Sequence, residues 1–192
     1  MPHESSRWAK DAVRRDGHQV TKSSSSSKTK VAIASGPLIA LYIPEDKEFL
    51  SGVGKVALLH EQLNYILRMT IRTLSCLKVA EALDATASDT AARLRERIKK
   101  LARQRLGEGE PLLKLQALLE RCKRATEKRN ELIHSIAART LDGAPILEGR
   151  GQLSRPLPKV AELSALAECL LNLIEELNRA RFDGFLHAAL DQ

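Results

Sequence analysis

Apolar residues recur every three or four positions over long stretches of this 192-residue chain, and this spacing limits its fold most strongly. Over residues 112–136 the apolar face keeps that spacing for about seven turns of a helix. Similar faces occupy residues 53–74 and 160–177, with glycine and proline in the connections. Aromatic residues make up only 3% of the chain, so leucine and alanine supply most of the core. This composition favours aliphatic helix packing over a β-sandwich and predicts an all-α fold.

Four helices are predicted, with ends set by caps and helix-breaking residues. Pro44 and the two carboxylates after it favour the start of the first helix, and Ser88 or Asp89 would cap the second. The predicted helices cover residues 44 to about 77, 88 to about 106, 110 to about 140, and about 159 onward. The connection 141–157 is rich in glycine and proline and has room for a small hairpin through Ile146 and Leu147. A short apolar run at 38–43 would lead into the first helix.

Residues 1–36 have a different composition from the rest of the chain. Five consecutive serines lie between lysines at 22–28, and such a segment buries little apolar surface. We therefore predict a disordered basic tail over 1–36 and a helical domain over 37–192. The tail is either a solubilising extension or an arm that binds polyanions; its sequence leaves both open.

The sequence has no features of a membrane or secreted protein. No segment reaches the roughly 18 consecutive apolar residues of a membrane span, and the N-terminus lacks the apolar core of a secretory signal. The three cysteines are widely spaced, which argues against a disulfide framework or a zinc site. We expect a cytoplasmic protein without membrane association, cofactor or metal.

The hexapeptide Arg129 to His134 interrupts the apolar face of the third predicted helix. Arg129 falls within that face, whereas Asn130 and His134 share one flank of it. At about 100° per residue, Arg129 and His134 diverge by roughly 140°. One helix would not converge them on a small ligand. Two copies facing each other across a dimer axis would place each arginine near the partner's histidine.

This hexapeptide, RNELIH at 129–134, resembles the R-x4-6-H motif of the HEPN superfamily of small all-helical domains. The resemblance covers residues 44 to about 190 and implies an antiparallel four-helix bundle that forms a homodimer. Many members of the superfamily are metal-independent endoribonucleases, including toxins, and others are non-catalytic interaction or nucleotide-binding modules. A subgroup carries a tyrosine that becomes adenylylated, but Ile136 stands at that position here, so this modification is not expected.

The resemblance implies RNA cleavage through attack of the ribose 2′-hydroxyl on the adjacent phosphodiester. A histidine takes or gives a proton near neutral pH, which suits His134 for acid–base catalysis. Arg129 would hold the phosphate and stabilise the transition state, and Asn130 would orient the imidazole or the phosphate. A toxin or defence role would add an antitoxin or regulatory protein to the expected partners.

The second predicted helix is the most basic part of the chain. Between residues 90 and 105 lie seven lysines and arginines and a single acid, Glu96. Such a density of cations favours a polyanionic partner, because binding releases counterions. This helix and the 141–157 connection supply the predicted RNA-binding residues, which are Arg93, Arg97, Lys100, Arg103, Arg150 and Arg155.

The same residues also fit a structural role without chemistry. Arg129 could pair with Glu61 or Glu175, and His134 could cap its helix. The protein would then be a non-catalytic helical-bundle dimer that binds nucleic acid or a protein partner. His60 lies on the apolar face of the first helix and is a second-tier candidate, because a lone histidine there is more often a hydrogen-bonded core residue.

Overall fold

The computed structural model describes residues 40–149 and 154–191. The helices in these ranges are α1 (Lys47–Ser75), α2 (Val79–Asp84), α3 (Ala91–Leu106), α4 (Glu110–Ile133), α5 (Val160–Phe182) and α6 (Phe185–Leu190). The strands are β1 (Ala40–Leu41), β2 (Ile136–Arg139), β3 (Pro145–Glu148) and β4 (Arg155–Pro156). The prediction of a mainly helical chain is confirmed, and a small antiparallel sheet is added to it. The predicted tail over 1–36 lies outside the described residues.

Local capping sets the ends of the long helices. The Asp46 carboxylate accepts hydrogen bonds from the backbone N–H groups of Glu48 and Phe49 at 2.8 and 3.1 Å, which fixes the start of α1. At the start of α3 the capping residue is Thr90, two positions after Ser88 and one after Asp89, the two predicted caps. These contacts involve neighbours in the sequence, which explains why the helix starts were close to their predicted positions.

The prediction that the third helix continues to about Thr140 is wrong. The helix α4 ends at Ile133, and residues 136–139 form the strand β2. This strand pairs antiparallel with β1 on one side and β3 on the other, in the order β1-β2-β3-β4. Strand pairing on both sides satisfies the backbone of β2 and buries Ala138 completely, which replaces the two further helical turns. The predicted hairpin through Ile146 and Leu147 is present as β2 and β3.

The helices α1 and α5 run in the same direction. Near their starts, Gly52 of α1 lies against the Leu163 side chain of α5. Near their ends, the Arg181 guanidinium of α5 donates a hydrogen bond to the Thr73 hydroxyl of α1 at 3.3 Å.

The helix α4 runs opposite to its neighbours. A tight connection at 107–109 joins α3 to α4, and Arg95 of α3 contacts Thr126 of α4 at 3.4 Å, so these two helices are antiparallel. Arg105, near the end of α3, contacts Cys76 just after α1, so α3 has the direction of α1. Thus α1, α3 and α5 point one way and α4 the other. The predicted bundle was antiparallel, with each helix opposite in direction to the one before it. In the structure α3 has the direction of α1, because α2 and the segment after it carry the chain back along α1 before α3 begins.

Leucine and isoleucine side chains from the four long helices form one continuous core. Its largest fully buried members include Leu63, Leu67, Ile71, Leu74, Leu94, Ile98, Leu112, Leu115, Leu119, Leu170 and Leu173. None of the described helices is both long and apolar enough to cross a membrane.

Candidate functional site

Arg129 lies in the last turns of α4 with its side chain directed toward α1. The side chain is only 16% exposed, and its Nη2 is 4.0 Å from the Glu61 carboxylate. Nη1 donates a hydrogen bond to the Asn130 side-chain oxygen at 3.1 Å. The buried Nε has no hydrogen-bond partner among the described residues. Glu61 is 67% exposed, so it is not the buried counter-charge that a purely structural arginine would need.

His60 on α1 lies beside this arginine and is 4% exposed. Neither ring nitrogen has a hydrogen-bond partner in the described part of the chain. Nδ1 is 3.5 Å from the Glu61 carboxylate, which is too long for a well-formed hydrogen bond. Burial, and then the positive charge of Arg129, lower the pKa of His60, and the Glu61 carboxylate offsets this only in part. His60 is therefore held neutral rather than satisfied as an ordinary core histidine.

Arg95 brings a second guanidinium to the same region from α3. It is 8% exposed, and its Nη1 lies 3.4 Å from the Thr126 hydroxyl of α4. Arg95 forms no salt bridge with any carboxylate of the described ranges, and its charge also disfavours protonation of His60. We call His60, Arg95 and Arg129 the internal cationic cluster.

Arg95 was not among the residues selected from the sequence, although a signal for it existed. It lies beside Leu94 and three positions before Ile98, both fully buried, so helical spacing places it toward the core. A cation at such a position is buried, unlike the exposed cations around it. The charge density of the segment, on which the RNA-binding prediction was based, does not distinguish buried cations from exposed ones.

His134 is exposed and is the residue that caps the C-terminal end of α4. Its backbone N–H donates to the Asn130 carbonyl at 3.0 Å, while its imidazole has no hydrogen bond or ion pair within the described residues. No contact of that kind joins the His134 and Arg129 side chains either. Asn130, expected to orient the imidazole or the phosphate, instead accepts from the Arg129 guanidinium.

The predicted RNA-binding residues fall into three groups. Arg93, Lys100 and Arg103 are exposed on α3. Arg97 is engaged, because its guanidinium donates to the Ala85 carbonyl at 2.8 Å and lies 3.6 Å from the Asp89 carboxylate.

Arg155 is also held in an ion pair, because its Nη1 lies 2.7 Å from the carboxylate of Glu131, a residue of the hexapeptide at 129–134. It was expected to be available for phosphate and instead spans from β4 to the end of α4. Arg150 lies outside the described residues.

No family model, curated protein or solved structure matches the chain. The resemblance to HEPN domains thus depends on the motif and the order of the helices. Within 40–149 and 154–191, no three His, Cys, Asp or Glu side chains form a group that could hold a metal ion.

Proposed function

We propose that this protein is an HEPN-type endoribonuclease that cleaves RNA as a homodimer. The observation that carries the proposal is the weak charge compensation of Arg129. Its guanidinium is positioned by Asn130, yet within the described ranges it pairs only with the exposed Glu61, at 4.0 Å. An arginine in this state can bind a phosphate without first breaking a strong buried ion pair. Arg95 and the neutral His60 add to the preference of this region for an anion.

An exposed apolar face on α1 supports the dimer. Leu58 is 70% exposed, and Leu50 and Tyr65 are also exposed on the same side of the helix. Glu61, the residue next to Arg129, lies on this side as well. Exposed apolar residues grouped on one face are typical of an interaction surface. Pairing through α1 would bring the motif ends of two α4 helices toward each other.

The proposed chemistry assigns different tasks to the motif residues. The His134 imidazole removes the proton of a ribose 2′-hydroxyl, whose oxygen then attacks the adjacent phosphorus. The bond to the 5′-oxygen breaks, this oxygen takes up a proton from water, and the His134 imidazolium returns its proton to the solvent. Arg129 of the partner subunit holds the phosphate and stabilises the negative charge of the transition state. The products are a 2′,3′-cyclic phosphate and a 5′-hydroxyl, and Asn130 acts by positioning the arginine.

The test is cleavage of a mixed-sequence RNA in EDTA by the wild type, Arg129→Ala and His134→Ala. We expect cyclic-phosphate ends from the wild type and a loss of at least about a hundredfold in each variant, the usual range for an acid–base group. An equimolar mixture of the two variants should recover roughly a quarter of wild-type activity, since half of the dimers are mixed and each keeps one intact site of two.

Lys123→Ala serves as the matched control, because it removes an exposed cation of the same helix, and it should cut RNA normally. Equal cleavage by wild type and His134→Ala would refute the site, since a contaminating nuclease or another residue would then be responsible. Full loss in the single variants without recovery in the mixture would refute the assignment of arginine and histidine to different subunits.

The second candidate function is a non-catalytic dimer that binds nucleic acid. The exposed residues Arg93, Lys100 and Arg103 on α3 favour it, because they form no ion pair with any described residue. If the protein has this second function, the wild type and all variants should retain RNA on a filter. None of them should cleave the RNA in the assay described above.

A further inference from the structure

A cavity of about 850 Å³ lies between α4 and the beginning of α5, with β4 and the segment after it along one edge. Arg129 and His134 do not line it. Its apolar lining is aliphatic and includes Ala125, Leu132, Leu157, Leu163, Ala165 and Leu166. Two prolines, at 156 and 158, complete this surface, and no aromatic side chain of the described residues contributes to it.

The charged residues of the cavity are mainly cations. Five are basic, namely Arg121, Arg124, Lys128, Arg155 and Lys159, and two are acidic, namely Glu131 and Glu162. Arg121 is neutralised by a bidentate pair with Glu176 at 2.6 and 2.7 Å, and Arg155 pairs with Glu131. Lys128 and Lys159 form no ion pair within the described ranges. Among the described residues, the cavity thus combines an aliphatic surface with two ammonium groups and one carboxylate, Glu162, that have no ion-pair partner.

We propose that this cavity binds a small amphipathic anion, an aliphatic chain that ends in a carboxylate or phosphate. The volume lies within the range of sites for small molecules. A nucleobase stacks best on an aromatic side chain, which the lining lacks, and the three arginines of the lining are held in ion pairs. An alkyl chain would cover the leucine surface, and its anionic end would meet Lys128 and Lys159. The proposal goes beyond the proposed ribonuclease and does not depend on it.

Cys169 provides a reporter for the site, because it is exposed and lines the cavity. Cys76 is also exposed but lies at the end of α1, away from the cavity. Cys122 is buried, and burial raises the pKa of its thiol to about 12, so it will not react. In a Cys76→Ser protein, which keeps an acceptor for Arg105, the reaction of a thiol reagent therefore measures access to Cys169.

The experiment measures how fast Cys169 is labelled in the Cys76→Ser protein at increasing concentrations of octanoate, decanoate or dodecanoate. Each acid should slow labelling in a saturable way. If the chain enters the aliphatic surface, each added CH₂ should tighten binding roughly fourfold, and each step of the series roughly fifteenfold. Protection that does not change with chain length would overturn the proposal. So would equal protection by dodecanol, which lacks the charge.

Two sets of variants test whether dodecanoate binds in this cavity. Lys128→Ala together with Lys159→Ala should weaken dodecanoate binding at least about tenfold, whereas Lys55→Ala with Lys123→Ala, two exposed lysines elsewhere, should not. Leu166→Trp should fill the cavity and abolish the chain-length effect, and its thermal unfolding would show whether it folds. Unchanged binding in the lysine pair would refute the site even if Leu166→Trp fails to fold.

A second arm identifies the source of the ligand. Sedimentation with vesicles of phosphatidylcholine plus phosphatidylglycerol, with protection of Cys169, would support the same site with a membrane lipid as ligand. Protection by free dodecanoate without sedimentation would support a soluble fatty acid or alkyl phosphate. Protection by neither would overturn the proposal.

Discussion

His60 is a buried imidazole next to two arginines, and neither of its nitrogens has a hydrogen-bond partner among the described residues. An unsatisfied buried polar group costs about 1–3 kcal/mol of folding free energy. A residue that serves only to fill the core does not need an imidazole, because a leucine at this position would pack without leaving a buried polar group unsatisfied. Under the proposed function, the internal cationic cluster would be a largely buried site for an anion. Its effect on stability can be measured separately from any activity.

The stability of the protein should depend on the titration of His60. The pKa of the folded state lies below the value of 6.5 in the unfolded chain, so the unfolded state takes up the proton first. The free energy of unfolding should hence be highest above about pH 6.5 and fall as the pH drops through and below that value. Urea unfolding between about pH 8 and pH 5.5 would show this slope.

His60→Leu should remove this part of the slope and, at neutral pH, be neutral or stabilising by up to about 2 kcal/mol. The charged groups that face His60 are Glu61, Arg95 and Arg129, and all three are present in both proteins. His134→Ala, which removes an exposed histidine, should keep the wild-type slope. A strongly destabilised His60→Leu protein would mean that the imidazole has a partner after all.

At the scale of single elements, α1 shows how packing overrides helix propensity. Two glycines lie in its first turns, two positions apart. A Cβ at Gly52 would be 2.9 Å from Cδ1 and 3.1 Å from Cβ of Leu163, whereas a Cβ at Gly54 would meet nothing within 4 Å. Close approach of α5 thus requires glycine at 52 and leaves position 54 free.

Gly54→Ala should stabilise the protein by about 1 kcal/mol, because alanine restricts the unfolded backbone and favours the helix. Gly52→Ala brings the same propensity gain but forces α1 and α5 apart, and overpacking costs about 1–3 kcal/mol. We expect it to be destabilised by up to about 2 kcal/mol. Thermal unfolding of the two variants makes the comparison, and a stabilised Gly52→Ala would show that α5 is not held against α1 as described.

The ends of elements show what was predictable from sequence. Helix starts such as Asp46 and stops such as Gly107 depend on residues close in sequence, and the sequence predicted them within a few positions. The strand β2 follows a helix without a breaker, and it forms because β1 and β3 pair with it. Its partner β1 is distant in sequence, and no local pattern carries that information. The helical period predicted Arg129 within an apolar face and left Glu61 and Glu175 as candidate partners, and the helix packing decides for Glu61 on α1.

For the whole molecule, charge is distributed unevenly. Its net charge is +7, and α3 alone carries seven basic residues against one acid. The structure divides them: Arg95 joins the internal cationic cluster, Arg97 is held by Ala85, and Lys99 pairs with Glu96 at 2.8 Å. The number of cations counted in the sequence is therefore larger than the number free to meet a polyanion, and only the fold could show which cations remain exposed.

Replacing Arg93, Lys100 and Arg103 with glutamine should weaken RNA binding at low salt. The slope of log affinity against log salt concentration should drop by about two, at roughly 0.7 per lost contact with a single strand. Filter binding over a salt series gives this slope. The matched control replaces Lys55, Lys114 and Lys123, three exposed lysines elsewhere, and should keep the original slope. An identical slope in both triple variants would exclude α3 as the RNA-binding surface.

The pairing of β1 with β2 also has a consequence for synthesis on the ribosome. Ala40 lies opposite Arg139, and four helices are made between them. At usual rates of elongation, β1 waits on the order of ten seconds for its partner. During that interval α1 and α3 can associate, but the sheet cannot form. Its assembly thus follows translation of the hexapeptide at 129–134, and a chain that stops before residue 136 leaves β1 without its neighbour.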